Sequence, residues 1–73
     1  MIRISSPLRQ DEIIELLNAY TDGDVSFTFK EKKGIALLFE TNADDLEKAA
    51  KLAKAHIKEQ SWGSVLSFQS IAV

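Results

Sequence analysis

The chain has no cysteine, and only one histidine, one proline and one tryptophan. Without cysteine there is no disulfide, no thiolate zinc site and no thiol nucleophile, a composition that suits a reducing compartment. His56 stands alone, so no histidine cluster is available to hold a metal. Its helical phase puts it on the flank of an apolar stripe, one turn after Leu52, where a partly buried structural histidine is the simpler reading. No apolar run approaches the roughly 18 residues of a membrane-spanning helix. The opening MIRISSPLRQDE lacks the hydrophobic segment of a signal peptide, and the expectation is a cytoplasmic location without a membrane partner. Repeats and low-complexity tracts are also missing. Pro7 is the sole proline and glycine falls singly at Gly23, Gly34 and Gly63, each where an element should end, so residues 1–73 read as a single domain.

Positive charge is not in excess either. Nine basic against eleven acidic side chains give a net charge of −2, which argues against a nucleic acid backbone or an anionic membrane as the main partner. At 73 residues the chain is near the lower limit for independent folding, where about 60% of the unfolded surface is hidden. Its 45% hydrophobic content is ordinary for a soluble globular chain.

The most structured stretch is residues 25–39, VSFTFKEKKGIALLF. Val25, Phe27 and Phe29 alternate with Ser26, Thr28 and Lys30, a period of two that makes a strand with one dry face. A three-residue loop of Lys32, Lys33 and Gly34 would set Glu31 opposite Ile35, Phe29 opposite Leu37, Phe27 opposite Phe39 and Val25 opposite Thr41. An isolated hairpin is marginal in water, so its apolar face needs a cover. Two helices supply one. Ser6-Pro7 reads as an N-cap with proline at the first helical position, followed by a stripe of Ile13, Leu16, Leu17 and Tyr20 that ends at Thr21-Asp22-Gly23-Asp24. Thr41 or Asn42 would cap a second helix with Leu46, Ala49, Ala50, Ala53 and Ile57 on one face. A short first strand, with Ile2 and Ile4 alternating against Arg3 and Ser5, precedes all this. A β-rich tail over residues 64–73, SVLSFQSIAV, closes the chain.

The order strand, helix, strand, strand, helix, strand resembles the ferredoxin-like split β-α-β architecture over essentially the whole chain. That resemblance implies an α+β sandwich: a four-stranded, antiparallel-type sheet, first and third strands central, with both helices on one face. The small phosphatases of the acylphosphatase family are similar in architecture and use an arginine in the first loop with an asparagine. Arg9 and Asn42 would then form an anion site. The glycine-rich loop of that family is absent, Ser5-Ser6-Pro7-Leu8-Arg9 standing in its place. A regulatory ligand site of the ACT-like kind is a further option, though no ligand loop is recognisable.

Few other residues suggest chemistry. The acidic pairs Asp11-Glu12, Asp22-Asp24 and Asp44-Asp45 are explained by capping and turn formation, and none follows calcium-loop spacing; no metal or cofactor is expected. Arg3, Ser5, Ala36, Leu38 and Glu40 would occupy the open sheet face and offer no aromatic platform for RNA bases. The unusual feature is the tail. It has no charged side chain although the architecture puts it at a sheet edge, where lysine, proline or a bulge is the usual guard. Trp62, Val65, Ser67, Gln69, Ile71 and Val73, with Leu38 and Arg3 on the open face, are the candidate contact residues, and the expected partner is protein, either a second copy or another chain.

Overall fold

A computed structural model describes residues 1–20 and 23–73. The elements are β1 (Ile2–Ser5), α1 (Gln10–Asn18), β2 (Phe27–Lys33), β3 (Ala36–Thr41), α2 (Leu46–Lys58) and β4 (Gln69–Ala72). The four strands form one antiparallel sheet in the order β2-β3-β1-β4, with β1 and β3 inside and β2 and β4 at the edges. Helix α1 packs on β2, and α2 packs on β1 and β4. The strand alternation read from the sequence sets the layers: Ile2, Ile4, Leu37, Phe39 and Phe27 are buried on the same side as Ile13 and Leu17 of α1 and Ala49, Ala50, Ala53 and Ile57 of α2. Each fully buried large side chain contributes about 1.5–3 kcal/mol. Alanine at three of those α2 positions lets the helix backbone lie close to the sheet. Tyr20 fills the space between the layers, meeting the Phe27 ring edge-on at 5.3 Å and the His56 ring at 4.8 Å.

The hairpin register differs from the one expected. Phe29 pairs with Phe39 and Phe27 with Thr41, a shift of two residues. Lys32 and Lys33 are in the ladder, opposite Leu37 and Ala36, so the loop shrinks to Gly34 and Ile35, with Gly34 at φ 59° supplying the positive φ of the tight turn. A bulge between Phe29 and Glu31 reconciles the two halves, keeping both phenylalanines inward although the turn has moved. Lys30 and Glu40, on the open face, form an ion pair at 3.3 Å.

Both helix starts come later than expected. Ser6 does not cap α1: its buried Oγ donates to Leu8 O at 2.7 Å and accepts from Leu8 N–H, closing a turn before the helix. The cap residue is Arg9, in the left-handed region at φ 59°, without a side-chain cap. Gln10 fixes this loop to the hairpin tip, its Nε2 donating to Ser6 O at 2.8 Å and to Gly34 O at 3.2 Å. Helix α2 is capped by Asp45, whose Oδ1 accepts from Lys48 N–H at 3.1 Å, not by Thr41 or Asn42. Of the turn expected at residues 21–24, Thr21 and Asp22 lie outside the described residues.

The tail is mostly not strand. Ser64 N–H donates to Gln60 O and Leu66 N–H to Gly63 O, so residues 60–66 spend their backbone groups on consecutive turns instead of a ladder. Gly63 is buried here against the end of α2, where a Cβ would lie 1.8 Å from Ile57 O. Leu66 and Phe68 pack against the core from this turn and its exit, and only Gln69–Ala72 pair with β1. Among the described residues no helix is long and apolar enough to cross a membrane.

Candidate functional site

Hydrogen-bond parity determines which backbone groups each edge exposes. In an antiparallel pair, residues alternate between exchanging both bonds with their opposite and pointing both groups away. Val73 N–H donates to Met1 O at 3.0 Å, which makes Met1 and Val73 a bonded pair. By the register, Arg3 with Ile71 and Ser5 with Gln69 are bonded too. The even residues of β1 turn to β3 instead, as Ser6 N–H to Ile35 O at 2.9 Å shows. It follows that Ser70 and Ala72 direct their N–H and C=O groups away from β1, to the free edge of β4. The side chains alternate as well. Ser70 points inward and donates its Oγ to Ala50 O at 2.6 Å, tying β4 to α2, while Gln69 and Ile71 stand on the open face.

The opposite edge is guarded. On β2 the same parity sends the Phe29 N–H outward, and Asn18 at the end of α1 receives it on Oδ1 at 2.8 Å. The bulge next to Phe29 distorts the edge, and Lys30, Lys32 and Lys33 are all exposed along it. None of these devices occurs on β4. Its four residues are uncharged and unbulged, and Ile71 is 38% exposed with Val73 at 52% just beyond it.

The structure brings together some of the expected contact residues and separates others. Arg3, Leu38 and Ile71 fall on one line across the open face, since Arg3 pairs with both of the others. The Nε of Arg3 is buried there without a hydrogen-bond partner among the described residues. Gln69 and Val73 flank Ile71 on the same face. Ser67 and Val65 precede β4, Val65 being 86% exposed in the turn, and belong to no ladder. Trp62 lies in the helix layer, lining a shallow groove with Leu16 of α1 and Ala19 just after it, because the turns after α2 carry it there before the chain reaches β4.

Arg9 and Asn42 do not meet. Arg9 follows the Ser5 end of β1, which pairs with Ala36, whereas Asn42 follows β3 at the Phe39 end, where Ile2 pairs. They occupy opposite ends of the sheet. Each is also engaged locally: Arg9 bonds Glu12 at 3.1 Å, and Asn42 accepts from Ser26 N–H at 2.9 Å while donating to Asp24 O at 2.6 Å. Asn42 thereby fastens the start of the hairpin. His56 is half-buried against Tyr20 with its Nδ1 3.5 Å from Glu59 Oε2, and among the described residues no group of acidic and histidine side chains is arranged to hold a metal.

Sequence reasoning missed Asn18, the residue that distinguishes the two edges. Nothing local to Asn18 signals a strand eleven residues later. No protein family, curated protein or solved structure matches the chain.

Proposed function

We propose that this chain is a ferredoxin-like binding module that works by accepting an extended strand of another polypeptide along β4. The observation that carries this reading is the contrast between the edges: β2 is guarded by Asn18, a bulge and three lysines, while β4 leaves the N–H and C=O groups of Ser70 and Ala72 without a sheet neighbour. Strand addition takes its affinity from such backbone groups and its selectivity from alternate side chains. Here those side chains are Gln69 and Ile71 on the open face, continued by Leu38 and the Arg3 side chain. The ferredoxin-like arrangement is supported by central β1 and β3 and by the helices joining β1 to β2 and β3 to β4. Separation of Arg9 from Asn42 removes the support for an acylphosphatase-like site.

The test is an NMR titration of the chain with a soluble short peptide of alternating threonine and valine, a generic strand. Amide shifts concentrated at Ser70 and Ala72, with Phe29 unmoved, are the expected result. Shifts spread over the helices, or none at millimolar peptide with the chain dilute enough to be monomeric, would contradict the reading.

A further inference from the structure

Resting on the reading of β4 as the docking edge, we propose that its occupant is a second copy of the same strand, antiparallel, with Ile71 at the two-fold axis. The register follows from parity. Ser70 and Ala72 are the β4 residues with free backbone groups, so pairing Ser70 of one copy with Ala72 of the other satisfies all of those groups in both copies. Ile71 then faces Ile71 of the second copy as a non-bonded pair, the geometry in which side chains approach most closely. Both isoleucines are on the open face, where 38% of each is exposed in the single chain.

Charge and symmetry both favour this occupant. An antiparallel strand paired with itself normally risks like charges across the seam, and Gln69–Ala72 has none to oppose. The β2 edge of another copy is a poor mate, because Asn18 occupies the Phe29 N–H and the bulge with Lys30 spoils the ladder. One unguarded edge and one guarded edge favour an isologous pair that stops at two, an eight-stranded sheet, where two unguarded edges would grow a fibre. Ser70 and Ala72 are also held for the purpose: the Ser70 hydroxyl on Ala50 O and the β1 ladder fix the strand before any partner arrives.

The absence of native cysteine makes the register directly measurable. In the proposed pair, the two Ile71 Cα atoms are about 4.5 Å apart, inside the roughly 4.4–6.8 Å that a disulfide spans. Ile71→Cys should therefore oxidise to a covalent dimer. Gln69→Cys, on the same face of the same strand, lies opposite Val73 of the second copy and should form no covalent dimer alone, yet cross-link when mixed with Val73→Cys. Equal cross-linking of Ile71→Cys and Gln69→Cys would overturn the register. No cross-linking of any pair would overturn self-pairing. If the strand peptide still shifts Ser70 and Ala72 in that case, the occupant is another protein and the docking edge stands; if it does not, the edge reading falls as well.

Discussion

Gly34 and Gly63 show how one residue type answers to different physics. Gly34 sits in the left-handed region with nothing within 4 Å of a Cβ position, so Gly34→Ala meets only the backbone penalty and should cost about 1 kcal/mol. At Gly63 the φ is unremarkable and the obstacle is Ile57 O at 1.8 Å from a Cβ, so Gly63→Ala must displace the end of α2 and should cost about 1–3 kcal/mol or more. Urea denaturation of the two variants checks the ranking, and equal losses would contradict it. Both glycines were legible as element ends, but which one was needed for space was not, because the approach of Ile57 comes from tertiary packing. Phe27 was legible outright. Its alternation with Thr28 and Phe29 predicts burial, and at 3% exposure with Tyr20 edge-on, Phe27→Ala should cost about 3–5 kcal/mol, enough to threaten folding at this size. A loss below about 1 kcal/mol would contradict this packing.

At the scale of elements, the two edge strands are the informative pair. The lack of charge on β4 could be read directly, as could the lysines of β2. The Asn18 cap, the bulge and the two-residue turn could not, since each depends on how a distant element meets the hairpin. The register error has the same origin: Lys32 and Lys33 look like loop, yet the bulge at Lys30 lets them pair with Leu37 and Ala36 while Phe27 and Phe29 remain inward. The start of α1 was not legible because Ser6 bonds Leu8 locally and leaves the capping position to Arg9, whose left-handed φ no cap preference anticipates. Asn18→Ala tests the guard on β2. It should cost about 1–2 kcal/mol through the lost bond to Phe29 N–H, and it should raise the rate of hydrogen exchange at that amide while leaving Ser70 and Ala72 unchanged. Unchanged exchange at Phe29 would mean that Asn18 does not cover this edge.

At the scale of the whole molecule, the order of elements and the division into a dry and an open sheet face were visible in the period-two and helical spacings, because burial of one face is what those spacings encode. Assembly is less visible in one chain, since it depends on which backbone groups the fold leaves over. For a self-pairing chain, stability also depends on protein concentration, because the pair binds only the folded form. Ala72→Pro isolates the claim: it removes an N–H directed to the free edge and none from the β1 ladder, and proline is tolerated at an edge in that position. The most direct measurement is sedimentation equilibrium of the wild-type chain and Ala72→Pro over a wide range of concentration. A reversible dimer is expected for the wild type and a folded monomer for Ala72→Pro; a wild-type chain that stays monomeric throughout, or a variant that dimerises equally well, would show that β4 does not pair with itself.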